Sequence, residues 1–142
     1  MKILLLLLTT FILLSSCKKC DPTNSFGGEV LGEAFIRASA GQSIPILITD
    51  ASQVPFALEV LFEGGIAYQS VDFSQYSVLA LPTSASCSSG YDRSVVVNDQ
   101  NQTVTYTVTL TECETCEGST NIPNWVLIPA IPASYTPVFS IK

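Results

Sequence analysis

From Thr103 to Thr111 the chain alternates without a break: Val104, Tyr106, Val108 and Leu110 fall between five threonines. A period of two sends one set of side chains to a dry face and the other to water, the plainest strand signal in the molecule. Ser94–Val97 precedes it across Asn98-Asp99-Gln100-Asn101-Gln102, a cluster of turn residues, so the two read as a hairpin. Tyr76–Leu81, stopped by Pro82, reads as another strand. So do Glu29–Ala38, Ser43–Thr49, Trp125–Ile128 and Val138–Ile141, with Pro45 suited to a strand start or edge.

One segment changes period. Val54, Ala57, Leu58, Leu61 and Phe62 fall at i, i+3, i+4, i+7 and i+8, the apolar stripe of a helix face. Asp50 with Gln53 resembles a capping box, with Ser52 as a rival cap. Pro55 is tolerable in a first turn, and Gly64-Gly65 supplies a stop. The spacing predicts one helix over Ala51–Glu63. The expected fold is mainly β (α+β): an antiparallel sheet, sandwich-like or partly closed, of six to seven short strands with that helix packed on it.

The N-terminus obeys neither period. Met1-Lys2 leads into Ile3–Leu14, twelve residues without a charge, with Thr9 and Thr10 the polar ones. A short positive start and an apolar run of this length read as a secretory signal, too short to span a bilayer core of about 30 Å as a helix. Leu14-Ser15-Ser16-Cys17 resembles the bacterial lipobox, a Leu and two small residues before the cysteine that is lipidated. That resemblance implies cleavage before Cys17, diacylglycerol on its sulfur and an acyl group on its amine. Two or three chains, at about 0.8 kcal/mol per buried CH₂, suffice for stable anchoring. Lys18 stands where an Asp would favour the inner membrane, which implies the outer membrane, on its periplasmic face or at the cell surface. Residues 1–16 are thus expected to be signal peptide, 17–28 a lipidated flexible tether rich in Gly, Ser, Asn and Pro, and 29–142 a single β-rich domain.

Charge narrows the chemistry. Twelve Asp/Glu oppose six Lys/Arg, a net of −6, and the adjacent pair Lys18-Lys19 sits at the tether. Nucleic-acid binding calls for a basic patch, so no nucleic acid is expected as a partner. The chain contains no histidine, which removes Ser–His–Asp and Cys–His nucleophile pairs, imidazole metal sites and the commonest general base near neutral pH. No catalytic residue and no cofactor are expected.

Val71-Asp72-Phe73-Ser74-Gln75-Tyr76-Ser77-Val78-Leu79 follows the expected helix and precedes a small-residue loop, Ser88-Ser89-Gly90-Tyr91. This order, over about residues 46–142, resembles the short β-rich domain of PrcB-like protease-complex subunits and of small uncharacterised lipoproteins. The resemblance implies a non-catalytic accessory role and a protein partner in the envelope. Read physically, Asp72 and Ser74 cap a turn while Val71 and Phe73 enter the core.

Beyond Cys17, the cysteines are Cys20, Cys87, Cys113 and Cys116, an even number that in an exported chain points to disulfides, with three connectivities. If Val97 faces Thr103 in the hairpin, extending that register sets Cys87 opposite Cys113, with Cys116 the alternative after a shift at Gly90. A Cys87–Cys113 bridge closes a loop of about 27 residues and stabilises by roughly 3–4 kcal/mol. Cys20 then pairs with Cys116 or with another chain. Cys113-Glu114-Thr115-Cys116 also has the spacing of a redox motif or half a zinc site. A redox pair belongs at a helix N-terminus, whereas this one follows a strand among like charges. Zinc would need Cys20 and Cys87 as thiolates in an oxidising compartment. Glu112, Glu114 and Glu117 could gather a calcium ion, but lack the spacing of known loops and read first as a solvated tip. Trp125, beside Pro123 and Pro129, reads as a core residue or a partner-binding edge. The leading expectation is a membrane-anchored, non-enzymatic interaction module. The alternative is a ligand- or ion-binding protein using loop 112–117, and the third a thiol–disulfide oxidoreductase.

Overall fold

The structure is a computed structural model and describes residues 23–32, 34–85, 88–114 and 118–142, with the backbone alone for Ser88, Cys113 and Glu114. Twelve strands occur among them: β1 Asn24–Gly28, β2 Ala34–Ala38, β3 Ile46–Ile48, β4 Leu58–Phe62, β5 Gln69–Ser70, β6 Tyr76–Ala80, β7 Thr83–Ala85, β8 Ser88–Asn98, β9 Thr103–Glu114, β10 Thr120–Ile122, β11 Val126–Pro129 and β12 Thr136–Ile141. They form a four-stranded outer sheet β1-β8-β9-β12, a central sheet β11-β6-β3, a second outer sheet β2-β4-β5 and a small pair β10-β7. The fold is mainly β, as expected.

Three of these sheets are antiparallel throughout. The four-stranded sheet is mixed: its β8–β9 hairpin is antiparallel, while β1 and β12 add at the edges in parallel. Asn24–Gly28, expected to belong to the tether, is therefore strand. Gly28 makes that docking possible. Its φ is +64°, and a Cβ there would lie 1.9 Å from the Val95 carbonyl oxygen. Ser88–Tyr91, expected as a loop, begins β8.

No α-helix occurs among the described residues, so the helix predicted over 51–63 is corrected. The cap forms as expected: the Asp50 carboxylate accepts from the Ser52 N–H at 2.8 Å, and the Gln53 side-chain oxygen accepts from the Asp50 N–H at 2.9 Å. It caps a single 3₁₀ turn, Ala51–Gln53. With Asp50 as the cap, Pro55 is the fifth helical position, where its missing N–H is one the helix needs and where it drives Val54 extended (φ −133°, ψ 143°). Beyond it, Phe56, Leu58, Val60 and Phe62 alternate inward, and β4 pairs with β2 on one side and β5 on the other.

Two cores share the central sheet. Leu47, Leu79, Val126 and Ile128 point into the first, packed against Tyr91, Val95, Val104, Tyr106 and Val108 of the four-stranded sheet. Ile46, Ile48, Val78 and Leu127 point into the second, packed against Ala34, Ile36, Leu58 and Val60. Three layers result, with β11-β6-β3 dry on both faces. Val71 and Phe73 enter the second core. Asp72 closes the turn before β6, its carboxylate accepting from the Ser74 N–H at 3.0 Å and from the Gln75 side-chain amide at 2.7 Å.

Candidate functional site

The residues singled out from sequence fall mostly outside the described segments. Cys17, Cys20, Cys87, Cys116 and Glu117 lie outside them, as do the side chains of Cys113 and Glu114. Glu112 is exposed on β9. The hairpin register differs from the expected one: Val97 faces Val104 and Asn98 faces Thr103. Asn98 closes the hairpin as its last strand pair, and the turn is Asp99–Gln102, with Gln102 at φ +49°. A second shift falls at Ser88/Ser89, which face Glu114 and Glu112, so Cys113 is the extra residue of a β-bulge. Among the described residues no group of three or more His, Cys, Asp or Glu is placed to hold a metal ion.

The structure brings together a different set. The core-facing row of β8 reads Tyr91, Arg93, Val95, Val97, with a guanidinium where the pattern asks for an apolar side chain. Four contacts make this position tolerable. The Arg93 Nε–H donates to Asn124 Oδ1 at 3.1 Å. Nη1 approaches Asn24 Oδ1 at 3.4 Å. The guanidinium carbon lies 5.1 Å from the Tyr91 ring centroid and 5.7 Å from that of Phe26, within cation–π range. Burial pushes the Arg93 pKa down, countered by Tyr106 and Tyr91, and an arginine so placed keeps its proton. No carboxylate of the described residues pairs with it; the ion pair found among them joins Arg37 to Glu59.

Asn124 is the keystone. It is buried in the β10–β11 connection at φ +45°, a left-handed conformation that asparagine tolerates better than most residues. Its Nδ2 donates to the Leu81 carbonyl at 3.0 Å, to Thr83 Oγ1 at 2.8 Å and to the Ile122 carbonyl at 3.2 Å. These bonds fix the amide so that Oδ1 faces Arg93. The Asn124 carbonyl accepts the buried Tyr106 hydroxyl at 2.6 Å, and desolvation holds that phenol's pKa well above its ordinary value.

Above Arg93 opens a groove of about 480 Å³, within the size range of ligand pockets. β1 contributes Asn24 and Phe26, β2 contributes Phe35 and Ile36, Tyr68 precedes β5, and Pro123 and Trp125 flank Asn124. Phe26, Phe35 and Tyr68 are all exposed. Tyr68 is steadied by Arg37, whose guanidinium lies 4.3 Å from its ring centroid. Trp125 is half-buried, its ring edge-on to Phe56 at 6.3 Å. It belongs to the second core and also walls the groove. The lining offers one cation, amide hydrogen-bonding groups and aromatic faces, those of Phe26 and Phe35 carried on strands.

Sequence reasoning missed Arg93, Asn124, Asn24 and Phe26. A strand read from Ser94 onward omits the row Tyr91-Arg93-Val95-Val97, and Asn24 and Phe26 stand in a stretch whose Gly, Ser and Pro content reads as tether. A polar residue inside an apolar alternation was the available signal for Arg93. Comparison of the chain with protein-family models, curated proteins and solved structures finds no match.

Proposed function

We propose that this chain is a lipid-anchored, non-enzymatic binding module of a bacterial cell envelope, held by an acylated Cys17, in the outer membrane, and docking an envelope partner through the groove around Arg93. The groove carries this reading: the exposed rings of Phe26, Phe35 and Tyr68 line it together with a half-buried guanidinium that has no carboxylate partner among the described residues. The anchor rests on Leu14-Ser15-Ser16-Cys17 behind an uncharged apolar run. The accessory role rests on the resemblance of residues 46–142 to protease-complex subunits.

Metabolic labelling with palmitate tests the anchor in the full chain. The wild type takes up label and sediments with membranes, while Cys17→Ser does neither; label retained in Cys17→Ser overturns the anchor. Affinity purification of the tagged protein from native membranes, in mild detergent, tests the module. A stoichiometric envelope complex, lost on Phe35→Ala, is expected. Recovery of the protein alone after crosslinking overturns the accessory role.

A further inference from the structure

The groove also indicates what it holds. We infer that it receives the C-terminal carboxylate of a partner polypeptide whose last side chain is aromatic or large and apolar, an inference that rests on the groove being the binding site. A guanidinium that has no carboxylate partner among the described residues and lies beside buried groups calls for an anion. Among the described residues that line the groove there is one such cation, so one negative charge satisfies it, and the chain's net −6 repels polyanions. A guanidinium whose Nε is tied to Asn124 and whose Nη1 gives one proton to Asn24 keeps Nη2 and the second Nη1 proton for the planar pairing that suits a carboxylate. Asn24 gives its carbonyl oxygen to Arg93, which leaves its amide N–H groups as further donors at the same rim.

The walls specify what carries the carboxylate. Phe35 is 55% and Phe26 43% exposed on strands, where an aromatic ring anchors a ligand with little loss of conformational freedom. Phe26 and Ala34 also line a second groove of about 560 Å³, whose other walls are Val30, Leu31, Gly32, Phe62 and Tyr76. The two adjoin across shared residues. Together they exceed what a small aromatic acid would fill and suit a terminal side chain followed by the residues before it.

Trp125 reports on the site directly, because it is the only tryptophan in the chain and lines the groove. The probes are an acetylated tetrapeptide of three alanines and a C-terminal phenylalanine, its C-terminal amide, N-acetylphenylalanine, and inorganic phosphate. Titrated into the full chain, the peptide acid is expected to give a saturable change in tryptophan emission, with the amide about ten- to a hundredfold weaker, the range for one charged hydrogen-bonded contact. Arg93→Gln removes that preference for acid over amide. Arg93→Lys, which keeps charge but loses the fork, retains part of it. Phe35→Ala, on an exposed side chain, weakens acid and amide alike.

Equal binding of acid and amide overturns the carboxylate. N-acetylphenylalanine binding as tightly as the peptide overturns the chain terminus in favour of a small acid. Phosphate competing at equal concentration overturns the monoanion. No saturable change in a chain that unfolds cooperatively overturns the inference as a whole. Each of these outcomes leaves the palmitate and native-membrane results untouched, so failure here and failure of the anchored-module reading are told apart.

Discussion

The central sheet and the four-stranded outer sheet bury their side chains by different rules. In β6 and β11 successive residues serve different cores, Val78 and Leu127 one, Leu79 and Ile128 the other, so both strands are apolar without a polar beat. The polar exception in β6 is Ser77, 1% exposed, whose hydroxyl accepts the Ile131 N–H at 3.1 Å. In β9 one face is dry and the other wet, and threonines mark the wet side. A polar side chain is therefore uninformative on the outer face of β9, expensive in β6, and diagnostic on the inner face of β8. Arg93 occupies that third position.

The largest effect expected from this difference is on stability. Leu127→Ala opens a cavity in the sheet on which both cores rest and costs about 2–5 kcal/mol. Val96→Ala, on a residue 58% exposed on the outer face of β8, stays within about 0.5 kcal/mol. Urea unfolding followed by Trp125 emission measures both, at unchanged m-value. Comparable losses at the two positions would break the three-layer arrangement.

A smaller loss, but a more telling one, is expected at the edge of the outer sheet. Gly28→Ala places a methyl against the Val95 carbonyl at φ +64°, and left-handed strain with the clash costs about 2 kcal/mol. The damage is local to β1, which carries Asn24 and Phe26. Amide exchange should quicken at Tyr91, bonded to the Thr23 carbonyl, and at Glu29, bonded to that of Val95. Binding of the peptide acid should fall with it. Quickened exchange in β6 instead would mean that β1 is not an independent flap on the hairpin.

The same contrast explains what could be read in the sequence. The β9 alternation and the turn before it are legible because one wet face keeps a period of two visible. The mainly β class followed from such segments. β4 is disguised because Leu58, Leu61 and Phe62 satisfy a helical spacing while standing in a strand, and the cap at Asp50 is real but serves one turn. Phe56 and Val60, which the helical stripe omits, complete the alternation that the fold uses. The parallel edges were invisible, because pairing partners of β1 and β12 are distant in sequence and leave no local pattern. The candidate site suffered most. Asn124 and Arg93 matter through each other, 31 positions apart, and neither residue type announces such a contact.

The smallest effects expected are those of pH, and their sign separates the phenols Tyr106 and Tyr135 from the carboxylates Asp50 and Asp72. Tyr106, in the first core, is neutral when protonated, and desolvation raises its folded-state pKa above the ordinary value near 10. Above pH 10 the unfolded chain has released this proton while the folded one keeps it. Stability then falls as pH rises, and Tyr106's contribution is whole only below about pH 10. Tyr135, held up by its hydrogen bond to Asp99 at the surface, acts in the same direction and is removed by Tyr135→Phe. On the acid side, Asp50 and Asp72 are held below 3.8 by hydrogen bonds, to Ser52 for the first and to Ser74 and Gln75 for the second. Their contribution is present above that value and fades as pH falls through the lowered ones. Both carboxylates are fully solvated, so the acid limb should be shallow and further flattened by salt. Tyr106→Phe tests the alkaline limb. It leaves the Asn124 carbonyl without its donor, lowering stability at neutral pH by about 1 kcal/mol, and makes the decline above pH 10 shallower in urea midpoints taken from pH 7 to 11. If the decline keeps its full slope in Tyr106→Phe and loses it in Tyr135→Phe, the alkaline sensitivity belongs to the surface and not to the core beneath Arg93.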